Sequence, residues 1–354
     1  MRRVASMLFV GLMTGLVLAG TTSAPAVGGS AAFNGRILFT RCTARSCDIY
    51  TANPDGTAIR RVTHDGNAFS GDWSPDGRHI AYVGAASGDF AIWIVRSDGS
   101  HARQLTPNDR RSDNFWPRFA PNGRRLLFVN CAGGDCDGGI GSVRTDGSHL
   151  HMVTENSHSS YNVAELSPDG TRLAYMRWHV GGVKMAIYVA NADGTDERRI
   201  TQARLEGYLP DWSPSGDRIA FTSYVFFDRP APSIYSVRPD GSDVEALTHP
   251  PSPHSDWDGS YSPDGSKIIF DSDRRYSDGC CGDLFTIDAA GGNLQKIDLP
   301  FDAYDPRWGT APPMPISPMS ISAHDAGSRV PRVGGSPCHV VPGLAGTPMC
   351  PEAG

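Results

Sequence analysis

The stretch Asp72-Trp73-Ser74-Pro75-Asp76-Gly77, with Ile80-Ala81-Tyr82 just behind it, decides the fold because it recurs along the chain. It returns as Arg118-Phe119-Ala120-Pro121-Asn122-Gly123, Glu165-Leu166-Ser167-Pro168-Asp169-Gly170, Asp211-Trp212-Ser213-Pro214-Ser215-Gly216 and Ser260-Tyr261-Ser262-Pro263-Asp264-Gly265. Positions 73, 119, 166, 212 and 261 are spaced by 46, 47, 46 and 49 residues, a period that marks a repeat architecture. Each copy continues in one order: an apolar strand such as Ile219-Ala220-Phe221, a variable loop, then a second apolar strand such as Ala91-Ile92-Trp93-Ile94-Val95. An Asp-Gly turn follows at 98–99, 146–147, 193–194 and 240–241. A short strand then ends in Leu105-Thr106, Val153-Thr154, Ile200-Thr201 or Leu247-Thr248.

These units predict four short strands joined by tight turns. Proline presets φ at the first turn and glycine accepts the positive φ of a reversing chain; Asp-Gly does the same for the second hairpin. One such unit cannot bury both faces of its sheet, so units must stack, and radial stacking closes the array as a β-propeller. Residues 36 to 63 hold a second, third and fourth strand without a first, and Tyr304-Asp305-Pro306-Arg307-Trp308 supplies a first strand with nothing after it. One end therefore completes the other. The 276 residues from 34 to 309 divide into six units of 46, so the expected fold is all-β, a six-bladed β-propeller of four-stranded antiparallel blades.

At these residues the sequence resembles the TolB-like propeller family, whose WD-repeat-like units carry the same Trp-Ser-Pro-Asp-Gly, Ile-Ala-Phe and Asp-Gly-Ser…Leu-Thr pattern. The resemblance covers nearly all of residues 34 to 309 and implies the propeller part of that family, without the α/β domain that precedes the propeller in its periplasmic namesake. The repeats are also similar to the propellers of prolyl-oligopeptidase-type serine peptidases, but no hydrolase domain follows here.

The flanks read differently. Arg2 and Arg3, the apolar run from Met7 to Ala19 and the Ala24-Pro25-Ala26 cleavage pattern describe a signal peptide over 1–26. A short leader over 27–33 precedes the propeller, and residues 310–354 are Pro/Gly-rich: 311–354 hold nine prolines and six glycines in 44 residues. Such a composition is expected to stay disordered. No later apolar stretch reaches the about 18 residues needed to span a bilayer, and Thr21 stands where a lipoprotein box would need cysteine. Export to the periplasm or beyond, as a monomer, is the expectation. With 38 acidic against 32 basic residues and a net charge of −6, the chain has no basic field for a nucleic-acid backbone. Eight cysteines suit an oxidising compartment. The disulfide candidates are Cys42 and Cys47, Cys131 and Cys136, the adjacent Cys280 and Cys281, and Cys338 and Cys350, with more than one connectivity open to them; no Cys-x-x-Cys suggests zinc.

Strand order puts the Pro-Asp-Gly and Asp-Gly turns on one uniform face and the variable loops on the other, where binding residues concentrate. Four residues before each Trp73-like position stands an aromatic, Phe69, Phe115, Tyr208, Trp257 or Tyr304, with Asn162 the exception. Immediately before that position stand Asp72, Arg118, Glu165, Asp211, Ser260 and Arg307. One reading of both sets is packing and ion pairing between blades. The other is a ligand-binding mouth built from Phe69, Asp72, Trp116, Arg118, Tyr208, Trp257, Asp258, Tyr304, Asp305 and Arg307, in which Trp116, Trp257, Asp258, Tyr304 and Asp305 are exposed anchors. No Gly-x-Ser-x-Gly, His-Glu-x-x-His or phosphate-binding loop occurs in the propeller. Together these point to a non-catalytic scaffold, without a cofactor, that binds a protein, peptide or cell-envelope glycan at the variable face. The enzymatic alternative is a metal-dependent polysaccharide lyase or hydrolase using the loop histidines His64, His158, His249 and His254, since some propeller lyases with similar repeats hold a metal there.

Overall fold

The computed structural model describes residues 34–43, 45–86, 89–107, 112–132, 138–154, 159–179, 185–202, 205–224, 231–275 and 282–310. Among these residues the secondary structure is 24 strands arranged as six four-stranded antiparallel sheets. The closing blade contains β1 (Ile37–Cys42), β2 (Cys47–Ala52) and β3 (Arg60–Arg61). The first blade is β4 (Ala68–Trp73), β5 (His79–Ala86), β6 (Asp89–Arg96) and β7 (Arg103–Gln104), and the second β8 (Ser112–Phe119), β9 (Arg125–Ala132), β10 (Ile140–Arg144) and β11 (His151–Met152). The third is β12 (Ser159–Leu166), β13 (Arg172–His179), β14 (Met185–Asn191) and β15 (Arg198–Arg199), and the fourth β16 (Glu206–Trp212), β17 (Ile219–Tyr224), β18 (Ser233–Val237) and β19 (Glu245–Ala246). The fifth is β20 (Asp256–Tyr261), β21 (Lys267–Ser272), β22 (Asp283–Asp288) and β23 (Gln295–Lys296). Last in the chain, β24 (Tyr304–Trp308) pairs with β1, matching Ile37 to Trp308 and Leu38 to Arg307. Gly35 N donates to Gly309 O at 2.9 Å and Trp308 Nε1 to Gly35 O at 3.1 Å. The two chain ends thus share one blade, as the truncated first and last repeats require.

The period is visible in the core. The third residue of each Ile-Ala-Phe-like triplet is a buried aromatic, Phe39, Tyr82, Phe128, Tyr175, Phe221 or Phe270. In five blades it stacks on an aromatic directly opposite on the third strand: Tyr50, Trp93, Tyr188, Tyr235 or Phe285, with ring centroids 5.8 to 6.4 Å apart. The second blade has Gly141 there instead, facing Phe128 in register. A Cβ on Gly141 would lie 2.3 Å from Phe128 Cζ, so the ring lies over the glycine and fills the vacant half of the pair.

Turn residues act as their chemistry dictates. Ser74 Oγ donates to Asp76 Oδ1 at 2.6 Å and accepts His79 N at 2.9 Å, while Gly77 takes φ 67°. At the second hairpin Asp98 Oδ1 accepts Ser100 N at 2.9 Å; Gly99 has φ 82°, and a Cβ there would meet Val62 O of the preceding blade at 2.8 Å. The threonine closing each Leu-Thr element has a repeated task. Thr63, Thr106, Thr154, Thr201 and Thr248 each accept, through Oγ1, the amide of the residue fourteen earlier: Ile49, Ile92, Ile140, Ile187 and Ile234, at 2.9 to 3.1 Å. The hydroxyl thereby replaces a ladder bond where the two-residue fourth strand stops.

Candidate functional site in the central channel

All six innermost strands break register at one place, two residues opposing one on the neighbouring strand. The residue three before the Trp73-like position has positive φ in each: Ser70 49°, Trp116 50°, Val163 36°, Leu209 52°, Asp258 58° and Asp305 49°. None is glycine, so this ring carries backbone strain of about 1–3 kcal/mol per residue, held by the surrounding sheets. The next position is Gly71, Pro117, Ala164, Pro210, Gly259 or Pro306. It must be small or lack a ladder donor because it faces the preceding blade: a Cβ on Gly71 would lie 2.7 Å from Leu38 Cδ2, and one on Gly259 3.0 Å from Ile234 Cγ2.

Beyond the bulge the side chains turn to the following blade. Asp72 Oδ2 accepts Phe119 N at 2.7 Å, Glu165 Oε2 accepts Trp212 N at 3.1 Å and Asp211 Oδ2 accepts Tyr261 N at 2.8 Å. These carboxylates stitch the first blade to the second, the third to the fourth and the fourth to the fifth. Arg118 is 4% exposed and faces Asp72, Glu165, Asp211 and Asp258 from four blades. Arg307, equally buried, pairs with Asp258 at 3.0 Å, and Asp258 hydrogen-bonds in turn with Asp305, whose Oδ2 accepts Ser70 Oγ at 3.2 Å. Burial pushes the carboxyl of Asp72 up to about 6 against the pull of Arg118, and that of Asp211 up to about 7. Glu165 rises well above the carboxylate range through burial and then the field of Asp211, and Asp258 through burial and then Asp305.

The layer at Arg118 is therefore occupied by buried and half-buried polar groups. Toward the variable-loop side lies an aromatic set. Phe69 meets Phe90 edge-on at 5.4 Å and Phe115 of the next blade at 6.4 Å, and Phe115 meets Trp116 at 5.4 Å. Tyr208 meets Trp257 of the next blade edge-on at 6.5 Å.

Residues 142–310 match the family model described as the TolB beta propeller domain. Over these residues the chain carries the TolB-like β-propeller repeat. It is 28% identical over 188 residues to the TolB homologue of Chlorobium luteolum, covering 50% of this chain and 39% of that protein. The first curated relatives are matched over at most 51% of their own length. Two solved structures share the fold. TolB from Acinetobacter baumannii has a TM-score of 0.64 at 20% identity, over 78% of this chain and 67% of that one. An oligogalacturonate lyase in complex with manganese has a TM-score of 0.50 at 17% identity, over 75% and 74%.

In this TolB-like propeller the ten residues expected at the mouth lie on the innermost strands β4, β8, β16, β20 and β24, but not as exposed anchors throughout. Trp116 is 8% and Asp258 3% exposed: the bulge folds both inward, Trp116 onto Phe115 and Asp258 onto Arg307. Tyr208 and Arg118 are buried as well, whereas Phe69, Asp72, Trp257, Tyr304 and Asp305 are half-buried. Among the described histidines, His64 and His249 are exposed, and His254 Nδ1 lies 3.6 Å from Asp273 Oδ1; His158 lies outside the described residues. Among the described residues no group of three His, Cys, Asp or Glu side chains is arranged to hold a metal ion. Cys42 and Cys47 form a disulfide across the β1–β2 hairpin, and Cys131 is disulfide-bonded. Cys136, Cys280, Cys281, Cys338 and Cys350 fall outside the described residues, as do residues 1–33, which include the expected signal peptide, and residues 311–354. Sequence reading missed the strained ring, since nothing marks Ser70 or Leu209 individually. The Gly/Pro/Ala alternation one residue later was its available signal.

Proposed function

We propose that the chain is an exported, non-catalytic propeller that binds a protein or peptide, with an envelope glycan as the alternative ligand class, at the variable-loop end of its channel. The observation that carries this reading is the half-buried aromatic rim of Phe69, Trp257 and Tyr304 above a channel layer already filled by its own buried charges. Such a mouth offers flat apolar surface for a partner's side chains and leaves the polar layer beneath it engaged in holding blades together. Likeness to the TolB-like family, whose namesake is periplasmic, supports export, as do the Arg2-Arg3, Met7–Ala19 and Ala24-Pro25-Ala26 pattern and the Cys42–Cys47 disulfide.

The test is thermal-shift and direct-binding screening against peptides, envelope glycans and divalent ions, together with metal analysis of the purified chain. Stabilisation by a peptide or glycan that Trp257→Ala abolishes supports the reading. A stoichiometric metal whose removal lowers the melting temperature, lost on replacement of His249 or His254, overturns it in favour of the lyase chemistry.

A further inference from the structure

The residue before each Ile-Ala-Phe-like triplet is Arg, Lys or His in every blade: Arg36, His79, Arg125, Arg172, Arg218 and Lys267. Four of them turn to their own blade, where Arg36 donates to Ala58 O, Arg125 to Ser142 Oγ, Arg218 to Asp243 and Lys267 to Asp288. Arg172 instead crosses from the third blade to the fourth. Its guanidinium lies 4.8 Å over the Trp212 ring and donates to Gly216 O at 3.2 Å, so an aromatic ring and a turn carbonyl together make a guanidinium seat. The same position between the first and second blades lacks the arginine. Phe119 stands there for Trp212, Gly123 for Gly216 and His79 for Arg172, and the three line a cavity of about 440 Å³. The remaining wall matches too. Arg103 donates to Thr145 O as Arg198 donates to Pro239 O, and Asp76 and Asp146 correspond to Asp169 and Asp240. At the third-to-fourth junction these same charges, Arg198 included, surround a seated guanidinium, so Arg103 does not exclude one from the cavity beside it.

We propose that the cleft between the first and second blades is a binding site for an arginine side chain supplied from outside the propeller, stacked on Phe119 and bonded to Gly123 O. It lies among the Pro-Asp-Gly-like turns, on the face opposite the variable loops, and does not depend on the mouth. The shorter imidazole of His79 leaves the seat open, and a cavity of this size admits a whole side chain with its backbone. Two sources carry this chemistry: another protein, or Arg329 and Arg332 of the same chain, since Thr310 Oγ1 donates at 2.8 Å to the carbonyl of Pro75, a wall residue of the cavity.

Titration of the full chain with acetyl-arginine amide, read by NMR at the backbone amides of Asp76, Gly123 and Asp146, tests the site. These amides should shift saturably, and acetyl-lysine amide should bind at least about fivefold more weakly, because an ammonium lacks the planar fork that stacks and donates together. His79→Arg returns an arginine to the seat and should abolish the shifts with a melting temperature at or above wild type. If that variant does not fold, Phe119→Leu, which removes the ring, should weaken binding at least about threefold. The full chain carrying Arg329→Ala and Arg332→Ala separates the sources. A Gly123 amide unchanged before ligand is added assigns the arginine to another protein, and one that has moved, with tighter ligand binding, assigns it to this chain; both support the site. No shift in either chain, an equal response to the lysine compound, or undiminished binding by His79→Arg overturns the proposal.

Discussion

Replacing Asp211 by asparagine should remove part of the protein's loss of stability in alkali. The carboxyl is 7% exposed and pushed up to about 7 by burial, from an ordinary 3.8. Because the folded state holds a proton that the unfolded state releases above about pH 4, the stabilisation is complete below that point and is lost as pH rises through the folded value. A shift of about 3 units corresponds to about 4 kcal/mol at full effect, since each unit is worth about 1.4 kcal/mol. Sharing of protons with Glu165 and Asp72 spreads the loss, so wild-type protein should be about 2–4 kcal/mol less stable at pH 8 than at pH 5. Turn carboxylates act in the opposite sense in another window: Asp169 and Asp264 are held at about 2, so their contribution is lost only as pH falls below about 4. Asp211→Asn keeps an oxygen for Tyr261 N and removes the titration. Urea denaturation at pH 5, 6.5 and 8 should show the variant close to wild type at pH 5 and more stable by about 1–3 kcal/mol at pH 8. Wild-type stability that climbs between pH 5 and 8, or a variant with an unchanged pH slope, refutes the reasoning.

Other perturbations follow from the repeat. Thr248→Val removes the Oγ1 that accepts Ile234 N at 2.9 Å and should cost about 1–3 kcal/mol by urea titration, with Thr248→Ser recovering most of it. Gly141→Ala, whose Cβ would sit 2.3 Å from the Phe128 ring, should destabilise by about 1–3 kcal/mol, and Phe128→Leu in the same chain should relieve part of that loss. Gly99→Ala combines φ 82° with a Cβ 2.8 Å from Val62 O; a loss above about 1 kcal/mol is expected in the same titration. Trp257→Ala should weaken partner binding with a melting temperature near wild type, whereas Trp116→Ala, at a buried strained position, should lower stability by about 3 kcal/mol or more; the reverse pattern would place the anchor at Trp116.

Much of the fold is legible because each repeated residue type has one physical job at one place. Pro75, Asp76 and Gly77 make a turn whatever surrounds them, and Thr106 or Thr201 can cap a third-strand amide only if a short fourth strand runs beside it. Agreement of these local demands at a 46-residue spacing leaves little besides a closed ring of blades. The site is less legible because its character comes from the ring rather than the repeat. Asp72, Arg118, Glu165, Asp211, Ser260 and Arg307 occupy one repeat position with charges of both signs, and each charge acts on residues about one or more repeats away. A period identifies the position but cannot say that Arg118 faces carboxyls from four blades, or that burial pushes those carboxyls above the usual carboxylate range. Trp116 shows the same limit from the apolar side. In the alternation of a regular strand it could be an outward anchor, but the bulge changes the facing of every residue around it and packs Trp116 against Phe115. The trace of that bulge in sequence is Pro117, whose missing amide excludes it from a ladder, and its counterparts Pro210 and Pro306. Read for donors as well as for hydrophobicity, those prolines turn the inner strands from regular ladders into bulged ones. They also separate the half-buried rim at Trp257 and Tyr304, the proposed binding surface, from the layer at Arg118, whose carboxylates bond across blade boundaries.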